Sequence, residues 1–250
     1  MKNTTLVFSI ALNGYQWMYR KQLKSHKQYA KKNQYVHQAI TRPFISSLGV
    51  ECCWLKLTLM KEALLSGYDT VLFLDADTQV NDNCPSLNQV IELEKYIYMA
   101  KGYSDRFNSG VVLIKNDIQT IHWLNQIINA RFNTVKREND VGWGENGHII
   151  EFSKGLTIVA ELDQRWNNTF DHHLDDFIRH HNCGPMRTSL IYKLFHRAIF
   201  FISARLKSII NYRNQVNKGS DKDLLKQETD DILSIYPHIF TEQISHYIAK

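Results

Sequence analysis

Cysteine is scarce in this chain: four in 250 residues, adjacent at Cys52 and Cys53 and isolated at Cys84 and Cys183. No zinc spacing and no bridge framework can be drawn from them, which argues against a disulfide scaffold or structural zinc and fits a reducing cytosol. Long apolar runs are missing too. No uninterrupted stretch of about 18 apolar residues is present, so nothing reads as a membrane-spanning helix. Lys2 followed by the apolar residues 6–12 imitates a signal peptide, but the run is short and no small-residue cleavage site precedes Tyr15-Gln16-Trp17. A first buried strand is the better reading. Charge of one sign is in small excess: the net charge of +5 allows an anionic partner without requiring one. No nucleic-acid partner is expected. What remains is ordinary globular composition, 44% hydrophobic and 22% charged, enough for one α/β domain with a tail.

The chain is organised around Val71-Leu72-Phe73-Leu74, which runs straight into Asp75-Ala76-Asp77. So dense an apolar run reads as a buried strand of a mainly parallel sheet. It ends on two carboxylates at the carboxyl end of that strand, where open α/β sheets place ligands. In extended backbone Asp75 and Asp77 point one way and Ala76 the other. Two hard oxygen donors on one face suit Mg²⁺ or Mn²⁺, with water and a phosphorylated substrate supplying the other ligands. The alternative is a polar strand end leading into the loop Asn81-Asp82-Asn83.

Around this stretch, residues 6–12 read as strand one, broken at Asn13-Gly14. Residues 15–32 read as an exposed basic helix, 34–40 as a second strand, and 52–66 as a helix stopped by Gly67. Such alternation implies a parallel, doubly wound sheet. The loops after the first and the central strand then face one crevice. Ile10, Ala11, Asn13 and Tyr15 either line a nucleotide pocket there, with Tyr15 placed to stack on a base, or form a plain strand–helix turn. Lys56 either meets a diphosphate or is solvated on its helix.

Further on, the pattern predicts a helix over 87–94, a strand over 95–100 and a buried strand over 111–114. The last of these begins at Asn108-Ser109-Gly110, where a residue without a Cβ lets backbone approach a ligand or marks a bulge. Residues 118–132 have helical apolar spacing and belong to the core. Trp143-Gly144-Glu145-Asn146-Gly147 reads as a tight polar turn, 156–162 as a strand, and Asp163-Gln164-Arg165-Trp166-Asn167 as a loop that shapes a cleft. Phe177-Ile178-Arg179-His180-His181 leads into Asn182-Cys183-Gly184-Pro185-Met186-Arg187, an imidazole and a guanidinium around a Gly-Pro turn. Residues 187–213 carry six Lys/Arg and no Asp or Glu among many apolar side chains. They predict a helix that either lies on an anionic membrane or packs on the domain with its basic face outward. A polar linker, a helix over 223–236 and a last helical segment over 240–249 follow.

Together these segments resemble the GT-A glycosyltransferases, and most of all glycosyltransferase family 8, which includes glycogenin and bacterial lipopolysaccharide galactosyl- and glucosyltransferases. Leu72-Phe73-Leu74-Asp75-Ala76-Asp77 is similar to the family's Asp-x-Asp strand, and Asn108-Ser109-Gly110-Val111 to its Asn-Ser-Gly-Val strand. Leu162 to Asn167 resembles its Leu-x-x-x-Trp-Asn segment, and His181 to Arg187 its His-x-x-Gly-Pro-x-Lys closing motif. The Asp-Ala-Asp form and Trp54-x-Lys56 also look like family 34.

The resemblance implies a GT-A catalytic domain over 1–187 and a basic amphipathic tail over 188–250. It implies Asp75, Asp77 and His181 as ligands of Mn²⁺ (or Mg²⁺) bridging the phosphates of a UDP-sugar. Ala76, Asn108, Ser109, Gly184 and Arg187 would lie about that donor, Arg187 standing where the family has Lys. Glu145 and Asn146 replace the usual Asp-Gln near the reacting carbon, the Asn146 carbonyl facing it. The implied activity is transfer of a hexose to a glycan or glycolipid of lipopolysaccharide or capsule type. Retention is implied, in a cytoplasmic enzyme peripheral to the inner face of the membrane. Two rivals stand beside it: a nucleotide-sugar-binding protein without turnover, and a haloacid-dehalogenase-type phosphatase, which would want Thr or Val where Gln79 stands.

Overall fold

The structure is a computed structural model that describes residues 4–141, 144–181, 183–187 and 223–241, with isolated positions between 194 and 205. Its strands in chain order are β1 (Thr5–Ile10), β2 (Val36–Ile40), β3 (Thr70–Leu74), β4 (Thr78–Val80), β5 (Ile97–Ala100), β6 (Val111–Lys115), β7 (Val159–Leu162) and β8 (Ile178–His180). Six of them form one sheet in the order β2-β1-β3-β6-β5-β7, while β4 and β8 pair antiparallel as a separate ribbon. Within the large sheet only β6 runs against the rest. The mainly parallel, doubly wound α/β sheet expected from the sequence is therefore the one observed.

Both faces of this sheet are covered, which is why its strands are apolar throughout rather than alternating. Every residue of β3 is buried. Leu6, Phe8, Val71, Phe73, Val112 and Ile114 point to one face. There they meet the helices α3 (Leu55–Leu65) and α4 (Ile118–Asn129) through Leu59, Ala63, Trp123 and Ile127. Val7, Leu72, Leu74, Val111 and Leu113 point to the other face and meet Tyr29, Ala30, Trp166 and Ile178.

The basic segment after β1 is two helices, α1 (Tyr15–Met18) and α2 (Arg20–Lys32), separated at Tyr19. Gln22, His26, Tyr29 and Ala30 form the buried side of α2, with its Lys residues and Arg20 exposed. Asp117 caps α4 by accepting the Gln119 N–H at 2.8 Å, a cap that stabilises a helix by about 1 kcal/mol.

Three segments differ from expectation. The 87–94 helix is one 3-10 turn, Leu87–Gln89, and residues 95 and 96 lie ahead of β5. The turn at Glu145 continues directly into a helix, α5 (Asn146–Ser153). The segment after the linker does not stand apart. Helices α6 (Leu224–Ile235) and α7 (Pro237–Phe240) place Leu225, Ile232, Tyr236, Ile239 and Phe240 in the main core. Glu228 there accepts the Ser47 N–H and hydroxyl at 2.8 and 2.7 Å, and the Tyr236 hydroxyl accepts the Thr41 N–H at 2.9 Å. Residues 223–241 thus brace the loop that follows β2. The basic helix expected over 187–213 and the segment 242–250 fall largely outside the described residues, as do Trp143 and Asn182. Among the described residues no helix is long and apolar enough to cross a membrane.

Candidate functional site

From β1 the chain crosses to β2 on one side, while β3 lies on the other. The loops after β1 and β3 therefore diverge, and the crevice they leave is where doubly wound sheets bind ligands. Asp75-Ala76-Asp77 sits at that point. The Asp75 N–H donates to Gly110 O at 2.8 Å, and the Thr78 N–H and hydroxyl both turn back to Asp75 O, at 3.0 and 2.7 Å. This tight turn leads from β3 into β4. Because β4 pairs with β8 so that Thr78 faces His180, an imidazole from a remote part of the chain arrives beside the carboxylates. His180 Nε2 lies 3.2 Å from Asp77 Oδ1 and 4.0 Å from Asp75 Oδ2.

Asp75, Asp77 and His180 each offer one ligand atom, and these atoms lie within 4.8 Å of one another. Two carboxylate oxygens and one imidazole nitrogen suit Mn²⁺ or a similar divalent ion, so the donor set fits the metal that the sequence implies. The histidine is a correction, however. His181, the expected ligand, turns its ring to Gln79 Oε1 at 3.1 Å and hydrogen-bonds Asp77 through its backbone N–H, 3.0 Å from Asp77 O. Strand alternation is the cause: Ile178 and His180 share the buried side of β8, with Arg179 on the other. The apolar Ile178 two residues earlier was the signal in the sequence that His180 points inward.

The charges at this site are mutually arranged. Burial pushes the Asp75 carboxyl upward, with the Lys56 ammonium opposing and the Asp77 charge adding to the rise. Asp77 is buried too, yet His180 holds it below its usual range, and the two carboxylates in turn hold His180 above its own despite burial.

The sequence leaves Lys56 between a diphosphate contact and a solvated helix face, and the structure gives it other partners. Its Nζ lies 2.7 Å from Glu145 Oε1, 3.1 Å from Asp75 Oδ1 and 3.2 Å from Ser109 O. Burial would lower its pKa, but Asp75 and Glu145 hold it above the ordinary lysine value. Placed on α3 beneath the sheet end, this ammonium is fully engaged in joining three elements. Glu145 also accepts the Ser109 hydroxyl at 2.7 Å. Although buried, it is kept ionised by Lys56 and that hydroxyl, which hold it below its usual range.

Asn146 differs from expectation in the same way. Its Oδ1 accepts the Ser109 N–H at 2.8 Å and its Nδ2 donates to Phe107 O at 3.2 Å, so the amide carbonyl faces backbone rather than the crevice. Asn108 is bound internally through Gly110 N, Asn167 Nδ2 and Cys183 Sγ. Glu145, Asn146, Asn108 and Ser109 therefore build the floor beneath the carboxylates. Ala76, expected near the donor, packs its methyl group against Ala11 and Tyr19, which leaves only its backbone to face a ligand.

Ile10, Ala11, Asn13 and Tyr15 lie on the side of the crevice next to β1. Ala11 is buried with its N–H on Ile40 O at 2.8 Å, and the half-buried Ile10 ends β1. Asn13 adopts a positive φ of 56° and accepts the Ser46 N–H at 2.8 Å. Burial, and then Asp77, push the Tyr15 phenol above its usual range, while Arg187 pulls it back. Gly184 has φ +49°, and a Cβ there would stand 2.5 Å from Tyr103 Cδ1. Only glycine fits that close turn.

No protein-family model matches the chain, and no curated protein matches it. Solved structures do. A glycosyltransferase involved in the glycosylation of the major capsid of PBCV-1 is 13% identical, with a TM-score of 0.55 over 74% of this chain and 97% of that one. GlyE, a glycosyltransferase of Streptococcus pneumoniae TIGR4, is 14% identical over 89% of this chain and 66% of its own, with a TM-score of 0.46. The galactosyltransferase LgtC, solved with donor and acceptor sugar analogues, is 15% identical over 73% and 88%, with a TM-score of 0.43. At such identities it is the fold that is shared, and the first of these matches shows it: the chain has the GT-A fold.

Proposed function

We propose that this protein is a metal-dependent glycosyltransferase. In this reading it moves a hexose from a UDP-sugar to a hydroxyl of a glycan or glycolipid acceptor, of lipopolysaccharide or capsule type, with retention at the anomeric carbon. The observation that carries the proposal is the convergence of Asp75, Asp77 and His180 at the switch point of a GT-A sheet. Asp75, Asp77 and His180 would hold Mn²⁺ or Mg²⁺, which when bound neutralises charge growing on the diphosphate as the sugar–phosphate bond breaks. Tyr15 stacks on the base, and Asn13 shapes the loop that carries it. Arg187 contributes a guanidinium to the phosphates beside the Gly184 turn. UDP is named because the family that the sequence resembles mostly uses it.

Retention is carried over from the family that the sequence resembles, and Glu145 is not placed to act against it. An inverting enzyme needs a carboxylate base on the far side of the sugar, within reach of the acceptor hydroxyl. Glu145 is buried and tied to Lys56 and Ser109, so it is a support for the floor rather than a mobile base. The acceptor's proton then leaves on the same face as the departing phosphate. Asn146 and Glu145 act on the reaction by fixing Ser109, and through it the start of β6 beneath the sugar. The basic segment 187–213 is the proposed contact with an anionic membrane surface at the cytoplasmic face.

A nucleotide-sugar screen, read by nucleotide release with Mn²⁺ and then with EDTA, tests this. Release from a UDP-hexose that stops in EDTA and in Asp77→Ala is expected. Release indifferent to EDTA would overturn the metal-dependent reading, and tight donor binding without release on any acceptor would favour the sugar-nucleotide-binding alternative.

A further inference from the structure

We infer that Asn167 is a positioning residue for the metal: it holds the His180 ring by Nδ1, so that Nε2 is the nitrogen presented beside Asp75 and Asp77. The inference rests on the metal reading above and deepens it.

Asn167 is fully buried, at 0% exposure. Its Nδ2 donates to Asn108 Oδ1 at 2.8 Å and to Asn108 O at 3.1 Å. Both partners are oxygens. Asn108 is oriented in its turn, because its Oδ1 accepts the Gly110 N–H at 3.0 Å while its Nδ2 lies 3.4 Å from Cys183 Sγ. With the donor end of the Asn167 amide fixed in this way, Oδ1 is the atom that faces His180 Nδ1, 3.1 Å away. A carbonyl oxygen can only accept, so His180 Nδ1 carries the hydrogen. In the neutral ring the lone pair is then on Nε2, the nitrogen beside the two carboxylates. Metal-bound imidazoles are set by a partner on the other ring nitrogen in this manner.

The ring is confined from a second side. A Cβ at Gly110 would lie 2.6 Å from His180 Nδ1, so the imidazole rests directly on the backbone that starts β6. The loop carrying Asn167 is also tied to β8 by backbone: the Asn168 N–H donates to Ile178 O at 2.9 Å and the His180 N–H to Asn168 O at 3.0 Å. Trp166, 2% exposed, anchors that loop in the core. One loop therefore fixes both the backbone and the ring of His180, which a buried Asn serving only its own hydrogen bonds would not need to do.

The test compares wild type, Asn167→Leu and Asn167→Asp for Mn²⁺ affinity by electron paramagnetic resonance without donor, alongside melting of the metal-free protein. Asn167→Leu removes the acceptor and is expected to weaken Mn²⁺ binding by roughly 10- to 100-fold. Asn167→Asp keeps an acceptor for Nδ1–H and loses the donation to Asn108; it is expected to hold Mn²⁺ within a few-fold of wild type even though it melts earlier. A merely structural role predicts that Mn²⁺ affinity follows melting temperature across both variants, and that result would overturn the inference. So would wild-type affinity in Asn167→Leu. If neither variant folds, isotope-edited histidine NMR of the Mg²⁺-loaded wild type decides, with the hydrogen of His180 on Nδ1 expected and on Nε2 contradicting. Absence of Mn²⁺ binding by wild type would instead defeat the metal reading itself.

Discussion

Replacing Lys56 by Met keeps the length of the side chain and removes the cation that Glu145 and Asp75 share. The Glu145 side chain is only 5% exposed and Asp75 is 31% exposed, so the loss falls mainly on Glu145. Deleting one partner of a buried pair strands the other charge, which costs about 3–5 kcal/mol. Part of that is relieved when Glu145 takes up a proton, because with Lys56 gone burial outweighs the remaining Ser109 hydrogen bond at its carboxyl. The expected result in urea denaturation at neutral pH is a loss near the lower end, about 3 kcal/mol. Adding Glu145→Gln should return at least half of it, since the stranded charge is gone. The second signature runs in the opposite sense: without the ammonium at Asp75, Mn²⁺ should bind at least as tightly as in wild type. A loss below about 1 kcal/mol, together with no recovery in the double variant, would refute the view of Lys56 as counter-ion to the floor of the site.

Two further outcomes follow from the same geometry. His26, buried between the Ser9 hydroxyl and Thr78 O at 2.7 Å each, has its pKa lowered from 6.5 to about 4 by burial. The unfolded chain therefore binds the proton first as pH falls, and the stability His26 contributes is present above 6.5 and is lost toward pH 4, by about 3 kcal/mol in all. His37, also lowered to about 4, acts in the same direction; urea midpoints across that window should flatten in His26→Gln, and an unchanged slope would contradict the assignment. Gly110→Ala places a methyl group against the His180 ring and should weaken Mn²⁺ at least about 10-fold. Equal affinity with the fold intact would show that the ring has room to move.

The sheet was legible because its signal is local: an apolar run such as 71–74 can only be buried, and strand–helix alternation sets a parallel topology. Asp75 and Asp77 were legible because they follow that run directly, although they lie in the tight turn between β3 and β4 rather than in extended strand. His180 against His181 was harder, since the choice depends on the pairing of β8 with β4, nearly 100 positions away in the chain. Likeness places Asn146 near the sugar and the sequence allows Lys56 a phosphate contact, but the structure shows partners for both that lie far along the chain, at Glu145, Ser109 and Phe107. The contribution of 223–241 to the core was missed because Leu225, Ile232 and Tyr236 read alike on a packed helix and on a separate one. Asn167 and His26 carried no motif that marks a buried side chain as a support.

In the proposed function a sugar nucleotide is held through a cation on Asp75, Asp77 and His180. Calorimetric titration of a UDP-sugar into wild type, His180→Ala and His181→Ala, each with Mn²⁺ and again with EDTA, tests it most directly. Binding that requires Mn²⁺, is lost in His180→Ala and survives in His181→Ala is the expected result. Donor binding that is equal in EDTA, or that is lost only in His181→Ala, would contradict it.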